Sequence, residues 1–252
     1  MKNDPSSSQI INKMKNTRIE LAAAFRWAAK FGMNEGIANH FSVTINDDGS
    51  HFLMNPKGIH WSRMRASHFL VLDANNKSVM DQPSAPDPTA WYIHGSIHRM
   101  LPHARCLMHV HSKYATVFST FKNSVMPPID NNTMRYFDRI AYDTVFEGMA
   151  INSEEGDRLA RLIGNKPILV MGNHGLLVIG KSVVEAFDDL YYFERACETL
   201  ILAYATGQEL KIVSDQVAKT TAQQWQNYPD LAENHFSELM RILDQSEPDY
   251  RD

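Results

Sequence analysis

Only two of the 252 residues are cysteines, Cys106 and Cys197, so at most one disulfide can form. A scaffold stapled by several bridges is thereby excluded. Both lie in apolar or helical surroundings, the pattern of reduced thiols in a cytoplasmic protein. No run approaches the roughly 18 consecutive apolar residues of a membrane span. Positive charge is not in excess either: 25 basic against 29 acidic side chains leave a formal charge of −4. A nucleic-acid partner is not expected, because phosphate binding draws on a basic excess. Residues 1–9 lack the apolar core of a secretory signal and carry Pro5 and a Ser6-Ser7-Ser8 run, the composition of a frayed tail. Internal repeats are absent, which sets solenoids and propellers aside.

What is present is ordinary globular composition, 44% hydrophobic and 21% charged. The length suits one α/β domain over residues 10–207, followed by a helical, polar extension over 208–252. Apolar spacing predicts a helix over Ile10 to Phe31, where Met14, Leu21, Ala24, Phe25 and Ala28 share a face. Ile37 to Ile45 alternates as a half-buried strand, and Asn46-Asp47-Asp48-Gly49 turns it back into His51 to Met54. Phe69 to Leu72 is a further strand, and Pro83, Pro86 and Pro88 impose an extended loop. Helices are expected over Thr89 to Met100, Lys113 to Thr120, Ser153 to Ile163 (with Ser153 as its cap) and Ser182 to Ala205. Cys106 to His111, Ile168 to Met171 and Leu176 to Ile179 read as strands, and Pro127-Pro128 opens an irregular middle segment. Interleaved helices, strands and hairpins predict an α/β layered domain whose sheet is not purely parallel.

Eleven histidines are many for an acidic chain of this size. His51, His60, His68, His103 and His235 carry no pattern that singles them out. His109-Val110-His111 does. Residues i and i+2 of a strand point to one face, so both imidazoles can reach one ion while Val110 turns into the core. The competing explanation is two histidines satisfied by backbone or carboxylate groups. Asn173-His174-Gly175 supplies a third ring at a tight turn between apolar strands, where glycine permits positive φ or close backbone approach. Three imidazoles with an open fourth position suit catalytic zinc, and equally Mn²⁺ or Fe²⁺. His94 and His98 share a helix face but lack the glutamate of a metalloprotease helix. They rank behind the other three as ligands, and His94 is the better candidate for a supporting or substrate role.

Gly36-Ile37-Ala38-Asn39-His40-Phe41-Ser42, Pro56-Lys57-Gly58, His94 with His109-Val110-His111, and Asn173-His174-Gly175-Leu176-Leu177 followed by Glu185-Ala186-Phe187 resemble the class II aldolase/adducin family. The likeness runs over roughly residues 15 to 210. Ile93 to His98 is similar to a run found in its bacterial adducin-like branch. The resemblance implies an α/β/α layered single domain with a mainly antiparallel central sheet and a homotetramer. It also implies a divalent metal, usually zinc, on the positions of His109, His111 and His174. In the family's sugar-phosphate aldolases the positions of Asn39, Lys57 and Gly58 help bind the substrate phosphate. Lys57 replaces a threonine there, but an ammonium can still pair with an anion. The family's acid/base glutamate falls on Ala90, which cannot move a proton. Asp87 and His94 are the substitute candidates, with Glu35 and Glu147 behind them.

The resemblance therefore implies a metal-dependent carbon–carbon lyase of aldolase or decarboxylase type, acting on a small oxygenated acid or sugar-derived substrate. Decarboxylation asks less of a general base, because CO₂ leaves without first losing a proton. The alternatives are a non-catalytic adducin-like scaffold and an iron-dependent oxygenase on the same fold.

Overall fold

A computed structural model describes the backbone of residues 5–145, 148, 150 and 152–252, and the side chains within them from residue 14 onward. Its first helix, α1 (Pro5–Lys30), starts five residues before the expected Ile10. Proline is tolerated in a first helical turn, where its missing N–H has no partner to lose. Residues 5–9 are therefore helical rather than part of a tail, and residues 1–4 lie outside the described residues.

The described strands form one sheet in the order β3-β2-β1-β4-β7-β6-β5. They are β1 (His40–Thr44), β2 (His51–Met54), β3 (Leu70–Asp73), β4 (Cys106–Val110), β5 (Ile140–Asp143), β6 (Ile168–Met171) and β7 (Gly175–Gly180). Every pairing is antiparallel except β5 with β6. The fold is thus α/β with a mainly antiparallel sheet, as the family resemblance implies. The Pro127-Pro128 segment is more ordered than composition suggests. It contains α4 (Asn131–Arg135), capped by Asp130, and leads into β5.

β4 lies mid-sheet and is buried along its whole length. Cys106, Met108 and Val110 join a core beneath α1, α3 (Lys113–Ser119) and α6 (Val183–Ala205). Leu107 joins a second core beneath α2 (Pro88–Met100) and α5 (Ser153–Ile163), and α2 packs closely on α5. In the first core Phe25 meets Phe41 at 4.5 Å and Trp61 edge-on at 4.7 Å between ring centroids. Fully burying a phenylalanine contributes about 1.5–3 kcal/mol, so this cluster anchors α1 to β1.

Two local expectations change. Asn152, not Ser153, caps α5, its side chain accepting from the Glu155 N–H at 3.3 Å. β1 is buried on both faces rather than one, because α2 covers its polar side. The residues after 207 form α7 (Asp215–Gln226) and α8 (Leu231–Ser246), and Phe236, Leu239, Leu243 and Tyr250 complete the first core. Arg26 fastens this end to α1, pairing with Glu247 and Asp249 at 3.0 Å each. No helix among the described residues is long and apolar enough to cross a membrane.

Candidate metal centre

The alternation that sends Cys106, Met108 and Val110 to one core sends His109 and His111 to the other side of the sheet. The β6–β7 turn brings His174 to the same place. One ligand atom from each of the three rings lies within 4.8 Å of the others. The ring centroids form a nearly equilateral triangle of 4.9, 4.9 and 4.8 Å.

The turn explains how this is built. Asn173 takes the positive φ, at 55°. The glycines on either side are needed for space rather than for φ. A Cβ on Gly172 would lie 2.5 Å from the Asp143 carbonyl oxygen. On Gly175 it would lie 2.6 Å from Val110 O and 2.8 Å from His111 Cδ2. Only glycine therefore lets the turn sit against the His-x-His strand.

Each strand histidine is oriented from behind. His109 Nδ1–H donates to Leu176 O at 3.0 Å, and His111 Nδ1–H donates to Glu35 Oε2 at 2.5 Å. In their neutral forms both rings then carry a lone pair on Nε2, and these two atoms are 3.1 Å apart. Two lone pairs that close repel each other unless an electrophile, a proton or a metal cation, lies between them. Burial, reinforced by the neighbouring rings, holds His109 well below the usual histidine range, so it stays neutral. Burial and His111 lower His174 to about 4. Imidazoles braced from behind by a backbone carbonyl and a carboxylate are the donor set that fits a divalent cation.

Asn39 braces the main chain. It holds φ at 71°, its Oδ1 accepts from the His111 N–H at 3.1 Å, and its carbonyl accepts from Asn55 Nδ2 at 3.3 Å.

The three histidines open on a cavity of about 340 Å³. Asn39, His40, Lys57, Gly58 and Asp87 line it together with apolar Ile37, Ile93, Leu159 and Met171. Asp87 also caps α2, accepting from the Thr89 N–H at 2.9 Å. Asp143 and Glu155 belong to the wall as well, but Arg158 binds both carboxylates, at 2.6 and 2.7 Å. Ala90 is not on the wall. It is fully buried among Phe52, Met54 and Leu72. Glu147 lies outside the described residues.

His94 is not on the wall either. It is fully buried behind His40, with His40 Nδ1 and His94 Nε2 2.7 Å apart. His94 Nδ1 meets Ser42 Oγ at 2.5 Å, Ser42 Oγ meets His98 Nε2 at 2.7 Å, and His98 Nδ1–H donates to Ala104 O at 2.7 Å. Burial lowers His98 to about 4 and holds His94 well below the usual histidine range, and it lowers His40 to about 3 despite the opposing pull of Asp87. His40 and Ser42 belong to the Gly36–Ser42 motif, and no local pattern marks either for a role. The available signal was two polar residues, i and i+2, on the face of β1 that α2 must cover.

The sequence profile of the Class II Aldolase and Adducin N-terminal domain matches residues 19–201. The chain belongs to the class II aldolase and adducin family. Within that family it is 30% identical over 243 residues to a Pseudomonas aeruginosa protein assigned by name to the class 2 aldolases, covering 93% of this chain and 92% of that one. It is 28% identical over 247 residues to mouse alpha-adducin, covering 91% of this chain but 33% of the adducin. Among solved structures, an aldolase II superfamily protein from Pseudomonas syringae superimposes with a TM-score of 0.86 at 31% identity, covering 94% and 96% of the two chains. L-fuculose 1-phosphate aldolase from Glaciozyma antarctica shares the fold, with a TM-score of 0.82 at 19% identity over 96% and 94%.

Proposed function

We propose that this family member is a divalent-metal-dependent carbon–carbon lyase, with His109, His111 and His174 as the ligands and zinc, or else Mn²⁺ or Fe²⁺, as the ion. The observation that carries the reading is the pair of Nε2 atoms at 3.1 Å, with His174 completing the triangle. A cation held there supplies a Lewis acid for the charge that develops on a carbonyl oxygen as the adjacent carbon–carbon bond breaks.

The chain's own residues do the rest. Leu176 O and Glu35 hold the two strand rings with Nε2 forward. Lys57 stands on the cavity wall as an ammonium for an anionic substrate group, with Asn39 and Gly58 beside it. Apolar Ile93, Leu159 and Met171, all buried, exclude water from the inner wall. Asp87 is the acid/base candidate with access to the cavity, and His94, its counterpart in the sequence reading, supports His40 from behind. Placing alanine at position 90 favours decarboxylation, or an aldol cleavage with its acid/base group elsewhere. The substrate is a small oxygenated acid or sugar-derived molecule, the assembly a homotetramer and the compartment the cytoplasm.

The test is elemental analysis of the purified chain, followed by hydroxy and keto acids assayed for CO₂ or aldehyde release. About one divalent ion per chain, lost in His109→Ala/His111→Ala together with turnover, is the expected result. A chain without stoichiometric zinc, manganese or iron would instead be a binding protein of the adducin kind. Iron with substrate-dependent oxygen uptake would make it an oxygenase.

A further inference from the structure

The chain of hydrogen bonds behind the cavity has a direction, and a single atom sets it. Ala104 O at its far end can only accept, so His98 must carry its proton on Nδ1. A neutral His98 then has a lone pair on Nε2, and Ser42 Oγ–H must donate to it. With its proton committed, Ser42 Oγ accepts from His94 Nδ1–H. His94 Nε2 in turn can only accept, from His40 Nδ1–H. Each link follows from the one before because the rings are neutral and Ser42, His94 and His98 are at most 1% exposed. Among the described residues nothing bonds to the remaining polar atom of His40 on the cavity wall, Nε2, which carries a lone pair.

We infer that His98, Ser42 and His94 form a tautomer lock that presents His40 Nε2 to the cavity as a fixed hydrogen-bond acceptor, selecting a substrate with a hydroxyl group at that point. A carboxylate or fully ionised phosphate oxygen offers only lone pairs and is repelled there, whereas an alcohol donates. The inference rests on the proposed reading only in taking this cavity as the substrate site. It makes His40 a binding and specificity residue, and His94, Ser42 and His98 positioning residues.

The test is long-range ¹⁵N–¹H correlation spectroscopy on the full chain labelled with ¹⁵N-histidine. In wild-type protein, with zinc and after chelation, His40, His94 and His98 should all show the Nδ1–H pattern, although free imidazole side chains favour Nε2–H. An Nε2–H signal from any of the three overturns the lock. Ser42→Ala should release His94 and His40 toward Nε2–H, and Ser42→Thr, which keeps the hydroxyl, should restore the wild-type pattern. Retention of the wild-type tautomers in Ser42→Ala counts against the lock. If that variant does not fold, the wild-type spectrum decides by itself. Glycolate and acetate, each added at saturating concentration to zinc-loaded protein, differ only in a hydroxyl. Glycolate alone should shift His40 Nε2, and equal responses, or none, overturn the hydroxyl assignment. Chelated protein reports the tautomers whatever the metal analysis gives, so failure of the lock and failure of the lyase reading are separable.

Discussion

Two groups of three histidines sit a few ångströms apart on one side of the same sheet, and they are wired oppositely. In the closed group, His94 and His98 have both ring nitrogens engaged, and His40 has one engaged and one left for the cavity. In the open group, the two strand rings use Nδ1 for support and leave Nε2 without a donor among the described residues, His109 facing His111. Burial lowers the proton affinity of rings in both groups, of His40, His94 and His98 in one and of His109 and His174 in the other. What separates a ligand from a strut is therefore the partner of the second nitrogen, not the lowered proton affinity.

Exchanging the damage between the groups gives the largest contrast. His111→Ala should lose the bound metal while the chelated protein unfolds at nearly wild-type urea concentration. His98→Ala should keep the metal but lose several kcal/mol of stability, because it opens a cavity and strands the Ser42 hydroxyl (about 2–5 kcal/mol for losses of this kind). Elemental analysis and urea unfolding on both variants would show the crossing, and parallel losses would erase the distinction.

Acid comes next. An unfolded histidine binds its proton near pH 6.5, while burial pushes His98 down to about 4 and holds His94 well below the usual histidine range. Between these limits the unfolded state holds more protons. Stability should therefore be full above about 6.5 and fall as pH drops toward 4, by up to about 1.4 kcal/mol per pH unit for each ring. Urea midpoints of chelated protein at pH 7 and pH 5 would measure it, and a flat profile would mean that the closed group takes up water and charge.

Smaller effects probe the open group's supports. Glu35→Gln should weaken metal affinity about 10–100-fold, the usual cost of removing a carboxylate that orients a ligating histidine, with little change in the urea midpoint. Asp87→Asn should leave stability within about 0.5 kcal/mol, since asparagine caps a helix as well as aspartate. If Asp87 moves the proton in turnover, the same change should slow the reaction by about 100-fold or more. Competitive chelation and steady-state assays read the two.

The open group was legible in the sequence because strand alternation fixes which face His109 and His111 share, and glycines mark the His174 turn. The closed group was less so. Ser42 and His40 looked like the wet side of a half-buried strand, and only the packing of α2 over β1 shows that they are dry. Glu35 stands 76 residues from His111 in the chain, and no local period links the two. β5 was hidden by the prolines ahead of it, and Arg158, which binds two wall carboxylates, lies on a helix that the sequence identified only by its span and cap.

The brace at Asn39 acts on the peptide N–H of His111 and not on its ring. Truncating that ring would therefore leave its backbone pinned and an imidazole-shaped vacancy beside His109. Such a vacancy invites chemical complementation. Free imidazole added to His111→Ala should slip into the gap and restore metal retention, recovering the centre from a small molecule that the chain no longer carries.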